Sequence, residues 1–209
     1  EMDRTDVGKE NKKIQKLEEE ERVKEEAADN RSVSEKFADC LILGDSITQG
    51  LYEYGVLDEA NVQADRGTEV SEVSSKKIEE HIKKAKEMKP EVLFLAYGMN
   101  DIEAQNGNAS GFVKAYKNVI EDLKESLPDT KIYVNCILPA AQSAIETRPL
   151  FANVPKFNQK LKKLCKKEKV TFIDNTDLVK QEYYADDGIH MSPSYYTKWV
   201  DHMAEAAGL

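Results

Sequence analysis

Apolar and polar positions fall into two regimes along this chain. Residues 1–36 mix Lys, Glu, Asp and Arg with few apolar residues, whereas from Phe37 onward short apolar runs alternate with amphipathic stretches. The runs lie at Cys40–Leu43, Val92–Tyr97, Ile132–Leu138 and Val170–Ile173, with a weaker one at Asn61–Ala64. Cys40–Leu43 shows no polar alternation, as expected of a strand covered on both faces in a parallel sheet. Between the runs, apolar residues recur every three or four positions. They are Val70, Val73, Ile78, Ile82 and Ala85; then Phe112, Tyr116, Val119, Ile120 and Leu123; then Phe157, Leu161 and Leu164; and finally Tyr195, Tyr196, Trp199, Val200 and Met203. Each stripe predicts a helix with one face to bury.

Strands alternating with helices predict right-handed βαβ units, hence a three-layer α/β/α sandwich around a mostly parallel sheet of about five strands. Met88-Lys89-Pro90 and Leu127-Pro128-Asp129 are turns that close helices before strands. The longest irregular stretch is Pro139–Val154, which leaves the carboxyl end of a strand. Long loops in such places tend to be functional, so substrate contacts are expected there. A shorter candidate is Ile102–Ser110.

Residues 9–28 have helix-forming composition but only Ile14, Leu17 and Val23 as apolar anchors, too few for a sustained heptad seam. The expectation is a solvated, partly helical stalk or linker over residues 1–36, with a partner-binding helix as the alternative, followed by one globular domain over 37–209. The net charge of −9 argues against nucleic acid, which needs a basic face. Cys40, Cys136 and Cys165 have no metal-like spacing and read as small buried hydrophobes; an odd count excludes complete intramolecular pairing. There is no signal peptide, no apolar run of about 18 residues and no lipidation motif. The chain starts at Glu1 rather than a start methionine. That suggests an upstream segment, which leaves room for a missing N-terminal anchor. A secreted or cell-surface location is the expectation, a cytoplasmic one the alternative.

The candidate chemistry sits at strand ends. Gly44-Asp45-Ser46 ends the first apolar run, with Gly44 permitting a sharp departure. Ser46 there is either a helix cap or a nucleophile. A nucleophilic serine needs a base held in the right tautomer by a third group. Of the three histidines, His81 lies on a charged helix and reads as solvated, and His202 lies in the last helix with a surface or packing role. His190 follows Asp186-Asp187-Gly188-Ile189 in a turn-rich loop. Asp187 could bond Nδ1 there and leave Nε2 facing a substrate; otherwise the pair is merely polar. No second His or Cys is spaced for a metal site. Asp65-Arg66-Gly67-Thr68 follows the second strand and Tyr97-Gly98-Met99-Asn100-Asp101 the third. Gly67 could offer a backbone N–H and Asn100 an amide to an oxyanion, although each alone is an ordinary turn or cap.

Taken together, Gly44-Asp45-Ser46, Gly67, Gly98-x-Asn100-Asp101 and Asp187-x-x-His190 resemble, in order and approximate spacing, the four sequence blocks of the SGNH/GDSL hydrolase superfamily. The likeness runs from about Asp39 to the C-terminus and includes the close Asp187-Gly188-Ile189-His190-Met191-Ser192-Pro193. It implies a flavodoxin-like fold, with Ser46 as nucleophile and His190 as base and then acid, oriented by Asp187. It implies an oxyanion hole from the N–H of Ser46, the N–H of Gly67 and the side chain of Asn100, with Asp45 and Asp101 bracing the turns. No Gly-x-Ser-x-Gly elbow surrounds Ser46, which separates it from the α/β-hydrolases.

The resemblance implies a serine esterase without metal or organic cofactor. With no long apolar lid in the sequence, a short acyl group, acetyl above all, on a carbohydrate or cell-wall polymer is the expected substrate. One alternative is an O-acyltransferase that passes the acyl group to a glycan; another is an inactive binding module of the same fold. A flavodoxin-like phosphate binder is disfavoured by Asp45, whose charge repels an anion where a cradle would present free N–H groups.

Overall fold

The structure is a computed structural model that describes Lys16 and residues 29–209. The chain divides into Glu1–Ser32 and Val33–Leu209, and the second unit carries everything that follows. The stalk expected over residues 1–36 lies, as far as residue 28 and apart from Lys16, outside the described residues.

Five strands form the sheet: β1 Cys40–Gly44, β2 Val62–Ala64, β3 Val92–Ala96, β4 Lys131–Asn135 and β5 Thr171–Ile173. All pairings are parallel and the spatial order is β2-β1-β3-β4-β5. β1 is an interior strand, with Ile42 opposite Val62 on one side and Phe94 on the other. Every residue of β1 is buried, which is why it reads as an unbroken apolar run.

The helices are α1 Val33–Lys36, α2 Ser46–Glu53, α3 Ile78–Met88, α4 Met99–Ala104, α5 Ala109–Ser126, α6 Gln142–Thr147, α7 Val154–Glu168 and α8 Pro193–Ala207. Winding leaves β1 toward β2 in one direction, then reverses toward β3, β4 and β5. Right-handed crossovers therefore put α3, α5 and α7 on one face and α2 on the other. The packing agrees: α3 touches α5 and α5 touches α7, while α8 covers α1 and α2. This is the flavodoxin-like order, and such sheets bind ligands where the winding reverses, at the carboxyl ends of β1 and β3.

Three expected boundaries shift. The stripe that began at Val70 yields a helix only from Ile78, and Val73 is 57% exposed. Side-chain bonds hold residues 70–74 irregular: Asp101 accepts the N–H groups of Val70 (3.2 Å) and Ser71 (2.9 Å), and Glu69 those of Val73 (3.0 Å) and Ser74 (3.1 Å). Ile132–Leu138 ends as a strand at Asn135, and Cys136, Ile137 and Leu138 continue buried as loop. Pro139–Val154 is less irregular than its composition suggests, since it folds as α6 and a 3₁₀ turn over Pro149–Asn153.

α8 is fastened by a buried polar cluster. Trp199 Nε1–H and Asn175 Nδ2–H both donate to Asn135 Oδ1 (3.0 and 2.9 Å), and Asn175 Oδ1 lies 2.9 Å from His202 Nδ1. Tyr196 O–H donates to the carbonyl of Ile47 (2.8 Å), joining α8 to α2. The loop that ends in His190 is thus anchored downstream by α8.

Candidate active site

Gly44 turns out of β1 where a side chain has no room, since a Cβ there would fall 1.9 Å from Thr48 Oγ1. Asp45, extended in backbone, then caps α2 by accepting the N–H of Ile47 (3.0 Å). The capping is done by Asp45, which leaves the hydroxyl of Ser46 to other partners. Ser46 heads α2, so its N–H is one of the first four that find no acceptor inside the helix.

Ser46 Oγ lies 2.8 Å from His190 Nε2, although 144 positions separate them. His190 Nδ1 lies 2.5 Å from Asp187 Oδ2. An ionised carboxylate only accepts, so Nδ1 carries the proton and Nε2 is free to accept from the Ser46 hydroxyl. Asp187 Oδ1 also accepts the N–H groups of Ile189 and His190, both at 2.9 Å, which fixes the carboxylate within its own turn. Burial would raise the Asp187 carboxyl, but the His190 side chain and these two N–H groups outweigh it and hold it below the usual carboxylate range. Gly188 supplies the left-handed turn between them at φ +68°. Its carbonyl accepts the N–H of Ala141 (2.8 Å), which seats the start of the β4–α7 segment against this loop.

Gly67 adopts φ +77° in the turn after β2, with open space where a Cβ would point. Asn100 stands in the first turn of α4, capped by Gly98 at φ +130°. Its Nδ2 donates to the carbonyl of Thr68 (3.2 Å) and lies 3.5 Å from Asp45 Oδ2. Asp101 is fully buried and pins the 70–71 backbone described above. All the site residues named from the sequence therefore lie at the carboxyl ends of β1, β2 and β3 or on the loop before α8.

Burial raises the Asp45 carboxyl from 3.8 to about 7 and that of Asp101 from 3.8 to about 6. Between about pH 4 and these values the unfolded chain has lost protons that the folded chain keeps. These two carboxyls therefore contribute stability that falls as pH rises through this window, whereas buried His81, its pKa lowered from 6.5 by burial, contributes in the opposite sense below 6.5. We expect the thermal midpoint of the Asp45→Asn variant to gain on that of the parent between about pH 5 and about pH 7, because only the parent loses the Asp45 contribution there. Thermal denaturation of both proteins across this range checks it; a difference between their midpoints that does not change with pH contradicts it.

Some contributors were not legible in advance. His81, expected in solvent, is fully buried and bonds Tyr97 and Asp65. Its place on the stripe Ile78, His81, Ala85 was the available signal. Arg148 pairs with Glu103 through Nε and Oε1 (2.9 Å) and stacks 4.5 Å from the Phe151 ring; the Glu103 hydrogen bond first, and the Asp187 charge with it, raise the pKa of its guanidinium. Among the described residues no group of three or more His, Cys, Asp or Glu side chains could hold a metal ion, and no helix is long and apolar enough to cross a membrane.

A parallel α/β/α domain with serine, imidazole and carboxylate in one hydrogen-bonded line at the winding reversal has the construction of a serine ester hydrolase. The chain belongs to the GDSL-like lipase/acylhydrolase family, which residues 42–198 match. Similar solved structures include a GDSL-like lipase from Bacteroides thetaiotaomicron, 16% identical with a TM-score of 0.62, covering 81% of this chain and 87% of that one. A carbohydrate esterase family 3 protein from Talaromyces cellulolyticus is 16% identical at TM-score 0.62, covering 80% and 95%. A catalytic mutant of an acetylxylan esterase from Geobacillus stearothermophilus is 13% identical at TM-score 0.59, covering 81% and 94%. At these identities the likeness establishes the fold. No curated protein matches the chain in sequence.

Proposed function

We propose that the chain hydrolyses short acyl esters, acetyl above all, on a saccharide, through an acyl-enzyme on Ser46. The observation that carries this reading is the continuous line from Ser46 Oγ through His190 to Asp187. His190 takes the serine proton as Oγ attacks the ester carbonyl, and Asp187 stabilises the imidazolium that forms. His190 then protonates the departing alcohol, and in the second half activates water against the acyl-enzyme. The oxyanion meets the N–H of Ser46, the N–H of Gly67 and one Asn100 N–H. Asn100 Nδ2 carries two N–H bonds; one donates to the Thr68 carbonyl, and the other, whose contact with Asp45 at 3.5 Å is at the limit of a hydrogen bond, is the one left for a developing charge.

The wall beside the His190 loop is built of small side chains, since a Cβ on Gly188 would fall 2.9 Å from Ala141 Cβ, 3.1 Å from Ser143 Oγ and 3.2 Å from Ala144 Cβ, and Arg148 further along this segment pairs with Glu103 of α4. The substrate class is supported by the carbohydrate esterase and the acetylxylan esterase among the similar structures. A cell-wall polymer as substrate would set the enzyme outside the cytoplasm, secreted or at the cell surface, whereas an oligosaccharide taken up by the cell would suit a cytoplasmic one. Against nitrophenyl esters we expect kcat/KM to fall at least about tenfold from acetyl to octanoyl, and acetylated xylo-oligosaccharides to release acetate. Acetylated acceptor accumulating faster than free acetate would make the protein a transferase; equal rates on long acyl chains would remove the short-acyl reading.

A further inference from the structure

The mechanism makes no use of His81, yet this imidazole is fully buried and bonded at both nitrogens. Nε2 lies 2.9 Å from Asp65 Oδ2 and Nδ1 lies 2.6 Å from the Tyr97 hydroxyl. The carboxylate only accepts, so Nε2 bears the proton; Nδ1 then accepts from the phenol, leaving no donor or acceptor of the ring unmatched. The environment favours this form. Burial lowers the imidazolium pKa of His81 and raises the phenol pKa of Tyr97 well above 10, so the ring stays neutral and the phenol stays a donor.

Both partners lead directly to the proposed oxyanion donors. The carbonyl of Asp65 accepts the N–H of Thr68 (3.2 Å) and its hydroxyl (2.7 Å), closing the four-residue turn whose third residue is Gly67. The carbonyl of Thr68 in turn accepts from Asn100 Nδ2 (3.2 Å). Tyr97 immediately precedes Gly98, which caps the helix that carries Asn100. The links close on themselves: His81 to Asp65, through the turn to Thr68, across to Asn100, back along α4 to Gly98 and Tyr97, and again to His81. A loop and a strand end from different parts of the chain are held in one ring, and its anchor is a single side chain of α3.

We propose that His81 is a positioning residue for ester hydrolysis, fixing through Asp65 and Tyr97 the two turns that present Gly67 and Asn100 to the oxyanion. The inference rests on the esterase reading above. A structural role alone would need only a well-packed side chain at this site. A positioning role requires the hydrogen bond to Asp65, because the turn that carries Gly67 is exposed at Arg66 and its other side-chain ties among the described residues outside the ring are Lys77 Nζ on the Arg66 carbonyl (3.0 Å) and Gln63 Nε2 on Asp65 Oδ2 at 3.4 Å, which is long for a hydrogen bond. An exposed lysine contact of that kind contributes little.

The test compares His81→Gln, whose amide reaches the place of Nε2, with His81→Asn, which reaches only that of Nδ1. In folded His81→Asn we expect kcat on an acetyl ester to fall about 10- to 100-fold with KM changed by less than about threefold. His81→Gln recovers most of that loss. Thionoesters supply the signature, since sulfur accepts hydrogen bonds poorly and gains little from an oxyanion hole. The ester-to-thionoester rate ratio should shrink in His81→Asn as in Asn100→Ala and recover in His81→Gln. A readout without turnover is the NMR spectrum, in which the Gly67 amide and the Asn100 side-chain amide should shift in His81→Asn and stay near their parent positions in His81→Gln. Parent-like kcat, ratio and resonances in His81→Asn would overturn the proposal, as would equal losses on ester and thionoester. Ser46→Ala retaining full activity would instead overturn the esterase reading, and the NMR comparison would still decide whether His81 holds the two turns.

Discussion

Ser46→Ala is expected to lower kcat for short-ester hydrolysis by about 10⁴- to 10⁶-fold while leaving the fold intact. The large loss follows from chemistry: without Oγ there is no atom to form the acyl-enzyme, and His190 has no proton to take. The intact fold follows from the division of labour at the end of β1. Asp45 caps α2 and Gly44 makes the turn, so the serine hydroxyl carries no structural duty beyond its contact with His190. Because the three residues act as a unit, His190→Ala should cost a similar factor and the double variant no more than either alone. Steady-state kinetics with circular dichroism on the three proteins checks this; losses that multiply in the double variant contradict a shared step.

Asn100→Ala should lower kcat by about 10²- to 10³-fold, on the order of 3–4 kcal/mol of transition-state stabilisation, with a much smaller change in KM. The donor acts on charge that exists only in the transition state, which is why kcat carries the effect. The Thr68 carbonyl would also lose its Asn100 partner, so stability should be measured beside kinetics. Asn100→Asp is the sharper variant, because it keeps the size and replaces a donor by a negative charge facing the oxyanion. A loss confined to KM would remove Asn100 from the oxyanion hole.

The sheet was legible because parallel strands buried on both faces appear as unbroken apolar runs, as Cys40–Gly44 and Val92–Ala96 do. The overrun at Ile132–Leu138 has a physical cause: Cys136 keeps one bond to the Ile173 carbonyl of β5 (2.8 Å), the Ile137 backbone turns to the Asn158 side chain, and Leu138 stays buried beyond it, so hydrophobicity reports burial rather than pairing. The late start of α3 at Ile78 depends on Asp101 and Glu69 accepting loop N–H groups, an arrangement that no local pattern displays. The individual site residues stood out because each follows a strand beside glycine or in a turn before a helix. Their convergence did not, since nothing in a separation of 144 residues indicates a 2.8 Å contact. His81 was misplaced because its neighbours Glu79, Glu80, Lys83 and Lys84 make the segment look solvated, whereas its own position lies on the buried stripe with Ile78 and Ala85.

The central claim is that Ser46 forms the covalent acyl-enzyme. Treatment with a fluorophosphonate, which traps an activated serine as a stable tetrahedral phosphonyl ester, followed by intact mass and peptide mapping, tests it most directly. One adduct per chain on the peptide containing Ser46, absent from Ser46→Ala and much slowed in His190→Ala, is the predicted result. Labelling of another residue, or full ester hydrolysis by protein on which Ser46 is quantitatively blocked, would contradict it.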